Sequence, residues 1–173
     1  MKRKIKAIIL ILIIGICFIL FSVFYTYANY SFHARSGSMH PTIMVKDEII
    51  INRMSYLFTN PQRWDMVLLE KPEGELIVKR VIGLPNEIIQ IINNGVFINN
   101  EKLLMPANLA KVVYLKEGEF IKNNDPIKTL DNQYFIMGDY VKSIDSRSFG
   151  LVSRDEIVGK VTKVIRGGVP IEF

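Results

Sequence analysis

Ser36-Gly37-Ser38-Met39-His40-Pro41-Thr42 sets a cluster of hydroxyls on one short segment, and Lys79 and Arg80 later interrupt the apolar run Leu76-Ile77-Val78-Lys79-Arg80-Val81-Ile82. A hydroxyl becomes a competent nucleophile only beside a base that takes its proton. In a strand, the period of two puts Lys79 and Arg80 on opposite faces, so one of the two cations is expected to point to the core side. A guanidinium does not usefully give up its proton, whereas a lysine moved out of water loses it readily. Lys79, flanked by Ile77 and Val81, is therefore the better source of a neutral amine. Histidine offers less. His33 lies among polar residues near the N-terminal apolar stretch, and His40 stands two residues past Ser38, too close in an extended segment for its ring to fold back squarely on Oγ. Two histidines without helical or finger-like spacing, and no cysteine outside the apolar stretch, give no metal ligand set. No cofactor is expected. Taken alone, Ser-Met beside Pro-Thr is an ordinary turn whose serines bond to backbone; the buried lysine is what shifts the reading to serine–lysine chemistry.

The elements that would carry these groups begin with a membrane anchor. From residue 7 to about residue 28 no side chain is charged, and this length of helix crosses the ~30 Å hydrocarbon layer. A cleaved signal peptide would have a shorter apolar region, and Thr26-Tyr27-Ala28 is a poor cleavage site. Lys2, Arg3, Lys4 and Lys6 flank the run, which is expected to keep residues 1–6 in the cytoplasm and to send residues 29–173 across the membrane. Tyr25, Tyr27 and Tyr30 would sit at the outer interface. The chain carries 22 Lys+Arg against 17 Asp+Glu. Much of that excess is the N-terminal cluster, so a nucleic-acid partner has little support. The single cysteine, Cys17, lies within the apolar run, which suits an extracytoplasmic domain without disulfides.

Beyond the anchor, short β-branched and aromatic runs separated by turn signals predict strands at 48–52, 66–70, 76–83, 87–92, 96–98, 112–115, 134–138 and 157–165. Pro72-Glu73-Gly74-Glu75 and Asn93-Asn94-Gly95 read as hairpin turns. No long amphipathic helix follows residue 30. The expected fold is mainly β: one transmembrane helix, then an antiparallel, β-barrel-like catalytic domain with a small inserted β subdomain at about 102–130. Ser38 lies ten residues past Ala28, within a few tens of Å of the bilayer. Met54-Ser55-Tyr56-Leu57-Phe58 reads either as a core loop or as a surface that dips into lipid.

Together these residues resemble the bacterial type I signal peptidases. The likeness runs through the anchor, the serine box at 36–43, Arg63-Trp64-Asp65-Met66-Val67, the lysine box at 78–85, and Met137-Gly138-Asp139 through Ser143-Ile144-Asp145-Ser146-Arg147. The resemblance implies a membrane-bound serine endopeptidase that removes signal peptides from secretory preproteins having small residues before the cut. It makes Ser38 the nucleophile and Lys79 the general base. Ser36 with the Ser38 N–H would form the oxyanion hole, Ser143 would orient the lysine amine, and Asp145 and Arg147 would be a supporting ion pair. Met39 and the 43–50 region are expected to wall the substrate pockets. Three departures stand out. Trp64 replaces the usual glycine, so the backbone there is expected to avoid positive φ; Tyr140-Val141-Lys142 makes the approach to Ser143 one residue shorter, which puts the placement of Asp139 in question; and Arg35 stands where proline is frequent. Two rivals remain. A soluble self-cleaving peptidase of the same chemistry is opposed by the span, and a catalytically silent assembly factor for pilins or surface proteins is left open by the altered late box.

Overall fold

The structure is a computed structural model and describes residues 2–92, 95–109, 112, 120 and 125–173. Helix α1 (Lys2–Ala28) leads directly into strand β1 (Asn29–His33). There follow β2 (Glu48–Asn52), β3 (Met66–Glu70), β4 (Leu76–Gly83), β5 (Ile88–Ile92), β6 (Gly95–Ile98), β7 (Glu101–Lys102), β8 (Ile127–Lys128) and β9 (Gln133–Met137). A one-turn helix α2 (Ser146–Phe149) then precedes β10 (Val152–Ser153), β11 (Ile157–Arg166) and β12 (Val169–Ile171). Helix α1 is rich in Ile, Leu and Phe on all sides, and its described side chains from Lys4 to Tyr27 are exposed; by length and composition the helix could cross a membrane.

The main sheet has the order β1-β2-β11-β3-β4-β9-β10, with β12 added to β11, and every pairing is antiparallel. Its path is open, ending at β1 and β10, but register shifts in β11 and in β4 at Val81/Gly83 bend and curl it. Apolar side chains pack on both faces. Met39, Ile43, Ile49, Met66 and Val164 form one cluster; Val67, Val81, Tyr134 and Ile136 belong to another. Strand β3, buried at four of its five positions, runs between them, which is why Met66-Val67-Leu68-Leu69 lacks the alternation of a half-exposed strand.

Most predicted strands are present within a residue or two. Two predicted features lie outside the described residues: positions 113–115 of the 112–115 strand, and Asn93 and Asn94 of the second hairpin turn, whose flanking strands pair with Ile92 opposite Gly95. The first hairpin closes with Gly74 at φ 80 and a bond from its N–H to the Lys71 carbonyl (2.7 Å). A second sheet, β7-β6-β5-β8, draws on residues from 88 to 128. It thus includes the β5–β6 hairpin, while β7 and β8 are the described strands of the 102–130 segment. Strand β1 had no counterpart in the sequence reading: Asn29-Tyr30-Ser31-Phe32-His33 is an edge strand with polar residues at alternate positions, paired along its whole length to β2.

Trp64 corrects the sequence expectation, for its φ is 73. It is the third residue of a turn closed by the Asp65 N–H to the Gln62 carbonyl (3.1 Å), a position that favours glycine. Surroundings on both sides impose it. Arg63 pairs with Glu87, and Asp65 accepts from Tyr56, the Gln62 N–H and Lys160. Trp64 itself donates its N–H to Val81 (2.8 Å), and its ring packs on the second-sheet core.

Candidate active site

Lys79 occupies the middle of β4, opposite Val67 on β3, and is 3% exposed. Both neighbours on its side of the strand, Ile77 and Val81, belong to the same apolar cluster. Burial is the main cause that pushes the amine down from 10.5 to about 8; the nearby Asp145 carboxylate opposes this and Arg147 assists it. The amine donates to Ser143 Oγ at 3.0 Å.

Arg80, next along the strand, is buried as well, at 2%. The expectation that only one of the two cations faces inward is therefore corrected: the sheet carries a core on each face, so alternation buries both. The guanidinium is matched rather than deprotonated. Its Nε and Nη2 donate to Asp139 at 2.9 and 2.7 Å, and Nη1 donates to the Trp64 carbonyl at 2.8 Å. Asp139 also accepts from the Thr42 hydroxyl at 2.5 Å. Arg80, Asp139 and Thr42 thus link β4, the turn after β9 and the serine-bearing segment. Sequence reasoning left this trio out of the site. The signal was present in an arginine inside an apolar strand, which requires a buried carboxylate.

Ser38 lies on the segment between β1 and β2, which is held from below and from the side. Met39 is 2% exposed and packs with Ile43, Met66 and Val78, so its side chain forms part of the core beneath the serine. The Ser38 carbonyl accepts from the Tyr140 N–H at 3.1 Å. The Ser38 N–H donates to Ser36 Oγ at 3.2 Å. Gly138 lies where the segments meet: a Cβ there would collide with both Ser143 Oγ and the Ser38 carbonyl oxygen. The absence of a side chain is what lets the serine segment and the Lys79–Ser143 pair approach one another.

The shortened Tyr140-Val141-Lys142 stretch still delivers Ser143, through a turn closed by the Ser143 N–H to the Tyr140 carbonyl (2.9 Å). Behind it, Asp145 and Arg147 are 0% and 1% exposed and pair through two bonds of 2.8 and 2.7 Å. Asp145 also accepts from the Gly138 N–H (2.8 Å) and caps α2 through the Arg147 N–H. This is a buried, fully bonded pair, unlike a solvated surface bridge. His40 is exposed, its ring set edge-on to Tyr140 at 6.3 Å between centroids. Thus Lys79, Ser143, Asp145 and Arg147 are brought together, the Ser38 backbone meets them at Gly138, Ser36 is bonded to the Ser38 N–H, and Met39 packs into the core.

The family model for signal peptidase, peptidase S26, matches residues 2–165. The chain is 31% identical over 162 residues to signal peptidase I U of Bacillus subtilis (strain 168), a match covering 91% of this chain and 86% of that protein. It is 30% identical to signal peptidase I V of the same organism over 72% of this chain and 79% of that one. A crystal structure of a signal peptidase I from Enterococcus faecalis V583 overlaps 60% of this chain and 98% of its own, with 28% identity and a TM-score of 0.49.

Proposed function

Because the chain belongs to the signal peptidase family, peptidase S26, and is a peptidase of signal peptides, we propose that it works through a Ser38–Lys79 dyad on the outer face of a membrane that α1 spans. The observation that carries this reading is the buried Lys79 amine, lowered to about 8 and held by Ser143 against the one glycine that also touches the Ser38 backbone. A neutral amine donates one N–H to Ser143 and keeps its lone pair for the Ser38 proton. Ser38 Oγ then attacks the scissile carbonyl, Lys79 passes the proton to the departing amine, and the acyl group remains on Ser38. Water, deprotonated by Lys79, releases it.

Ser36 and the Ser38 N–H are the oxyanion donors in this proposal. The bond between them keeps them side by side; with substrate bound, the Ser36 hydroxyl turns its own proton to the developing charge, and such a donor contributes roughly two to three orders of magnitude in rate. Ser143, Asp145 and Arg147 position the amine, and Met39 supports the floor under small substrate side chains. Residues 1–6 are assigned to the cytoplasm, 7–28 to the span and 29–173 to the extracytoplasmic domain, with 102–130 as its inserted part. Preproteins and membrane lipid are the assigned partners. Cleavage of a preprotein by wild type, Ser38→Ala and Lys79→Ala tests the mechanism: wild type is expected to cut and both variants to fail. Equal inactivity of all three would favour the silent assembly factor.

A further inference from the structure

Arg53 follows directly on β2, and its N–H donates to the carbonyl of Ala28, the last residue of α1, at 2.8 Å. Its guanidinium carbon lies 4.8 Å from the centre of the Tyr30 ring and 5.8 Å from that of Tyr27. Yet its Nε is buried without a hydrogen-bond partner. The other half-buried and buried arginines of the β-rich part are all matched. Arg63 pairs with Glu87, Arg80 with Asp139, Arg147 with Asp145 and Arg166 with Asp47, while Arg154 donates to the carbonyls of Tyr56 and Ile157. Arg53 has neither a carboxylate nor a carbonyl acceptor among the described residues.

Nε is closed off, whereas Nη1 and Nη2 are not among the buried unpartnered atoms and reach the surface, and the location says what could match them. The end of α1 marks the level at which the chain leaves hydrocarbon, and phosphates of the lipid headgroups occupy the ~5–8 Å beyond that level. Tyr27 faces outward there, 65% exposed, as an interfacial aromatic does. A guanidinium steadied against aromatic rings retains donors along its edge, in the fork geometry that takes two oxygens of a phosphate. The helix C-terminus adds a local field that favours a cation.

We propose that Arg53, braced by Tyr27 and Tyr30, binds the phosphate of an anionic glycerophospholipid in the outer leaflet and so fixes the β-rich part at the point where α1 leaves the bilayer. The inference rests on the membrane-spanning reading of α1. Its test is lipid binding to the full chain in detergent micelles, followed by native mass spectrometry and thermal unfolding, with dioctanoyl phosphatidylglycerol, dioctanoyl phosphatidylcholine and inorganic phosphate in separate arms. Wild type is expected to prefer phosphatidylglycerol. Arg53→Gln is expected to weaken that lipid about tenfold with phosphatidylcholine unaffected, the loss of one charge-assisted contact. Arg53→Lys, which keeps the charge without the fork, is expected to retain only part of the preference, and it decides the matter if Arg53→Gln does not fold. Undiminished phosphatidylglycerol binding in either variant, meaning a purely structural clasp on the tyrosines, would overturn the proposal. So would a stabilisation by inorganic phosphate equal to that by the lipid. Alkaline carbonate washing of membranes separates the premises: release of the wild-type chain refutes the anchor, whereas retention with unchanged variant binding refutes only the lipid site.

Discussion

Burying the Lys79 amine costs stability. Because the folded amine titrates near 8 and an unfolded lysine near 10.5, the unfolded chain binds more protons between those values, and stability rises with pH across that window. The penalty is complete below pH 8, at about 3 kcal/mol, and has gone above about 10.5. Lys79→Met is therefore expected to be inactive yet more stable than wild type by up to that amount at pH 6, with the gap closing at high pH in urea titrations. Turnover by wild type is expected to fall about tenfold per pH unit below 8, since only the neutral amine accepts the Ser38 proton; a flat acid limb would sink the dyad. At this scale the motifs singled out Ser38, Lys79 and Ser143 as candidates, because each lies in a short box, and the structure sets the Lys79 amine on the Ser143 hydroxyl. The Arg80–Asp139–Thr42 link was not legible, because its partners lie far apart in sequence and only the sheet joins them.

Two backbone positions decide how the elements meet. Gly138 lets the serine segment and the turn bearing Ser143 come together, so Gly138→Ala is expected to lower kcat about a hundredfold through a displacement of order 1 Å, with little change in fold by circular dichroism. Trp64 combines a left-handed backbone with a packed ring. Comparing Trp64→Ala with Trp64→Gly removes the ring in both and isolates the backbone cost: the glycine variant is expected to be the more stable by about 1 kcal/mol in urea unfolding. Strands were readable from β-branched runs wherever a core claims them. The failures have physical causes. Edge strand β1 has too few apolar residues to announce itself, and the positive φ at Trp64 is set by Arg63–Glu87, by Asp65 and by the Val81 carbonyl, none of which local propensity encodes.

On the proposed membrane-bound reading, two features of the whole molecule bear on lipid: the apolar helix α1 and an exposed apolar loop tip. Leu57 and Phe58 are 55% and 96% exposed, in the loop that leaves Arg53 beside the end of α1. The segment Met54–Phe58 thus divides between its two sequence readings: Tyr56 is buried in the core, whereas Leu57 and Phe58 are not part of it. Replacing both with Ser is expected to weaken the binding of residues 29–173 to liposomes by about two orders of magnitude or more in flotation, since each loses roughly 1.5–3 kcal/mol of apolar burial; unchanged flotation would refute the lipid-dipping tip. The antiparallel architecture, the long apolar N-terminal helix and the β5 and β6 strands of the second sheet were open to a sequence reader, whereas β7 and β8, which complete that sheet, were not, because both are two-residue strands. A last consequence follows from β1. If α1 spans the bilayer and Ser38 is the nucleophile, as proposed, then α1 running straight into a strand zipped to β2 along five residues leaves only the short segment 34–37 between that strand and the serine. The strand acts as a gauge of about 17 Å, and a preprotein still embedded by its own apolar helix reaches the blade only if its tail extends by a similar reach. Lengthening or shortening a substrate's stretch between helix and cut would thus change cleavage without altering any residue that the pockets touch.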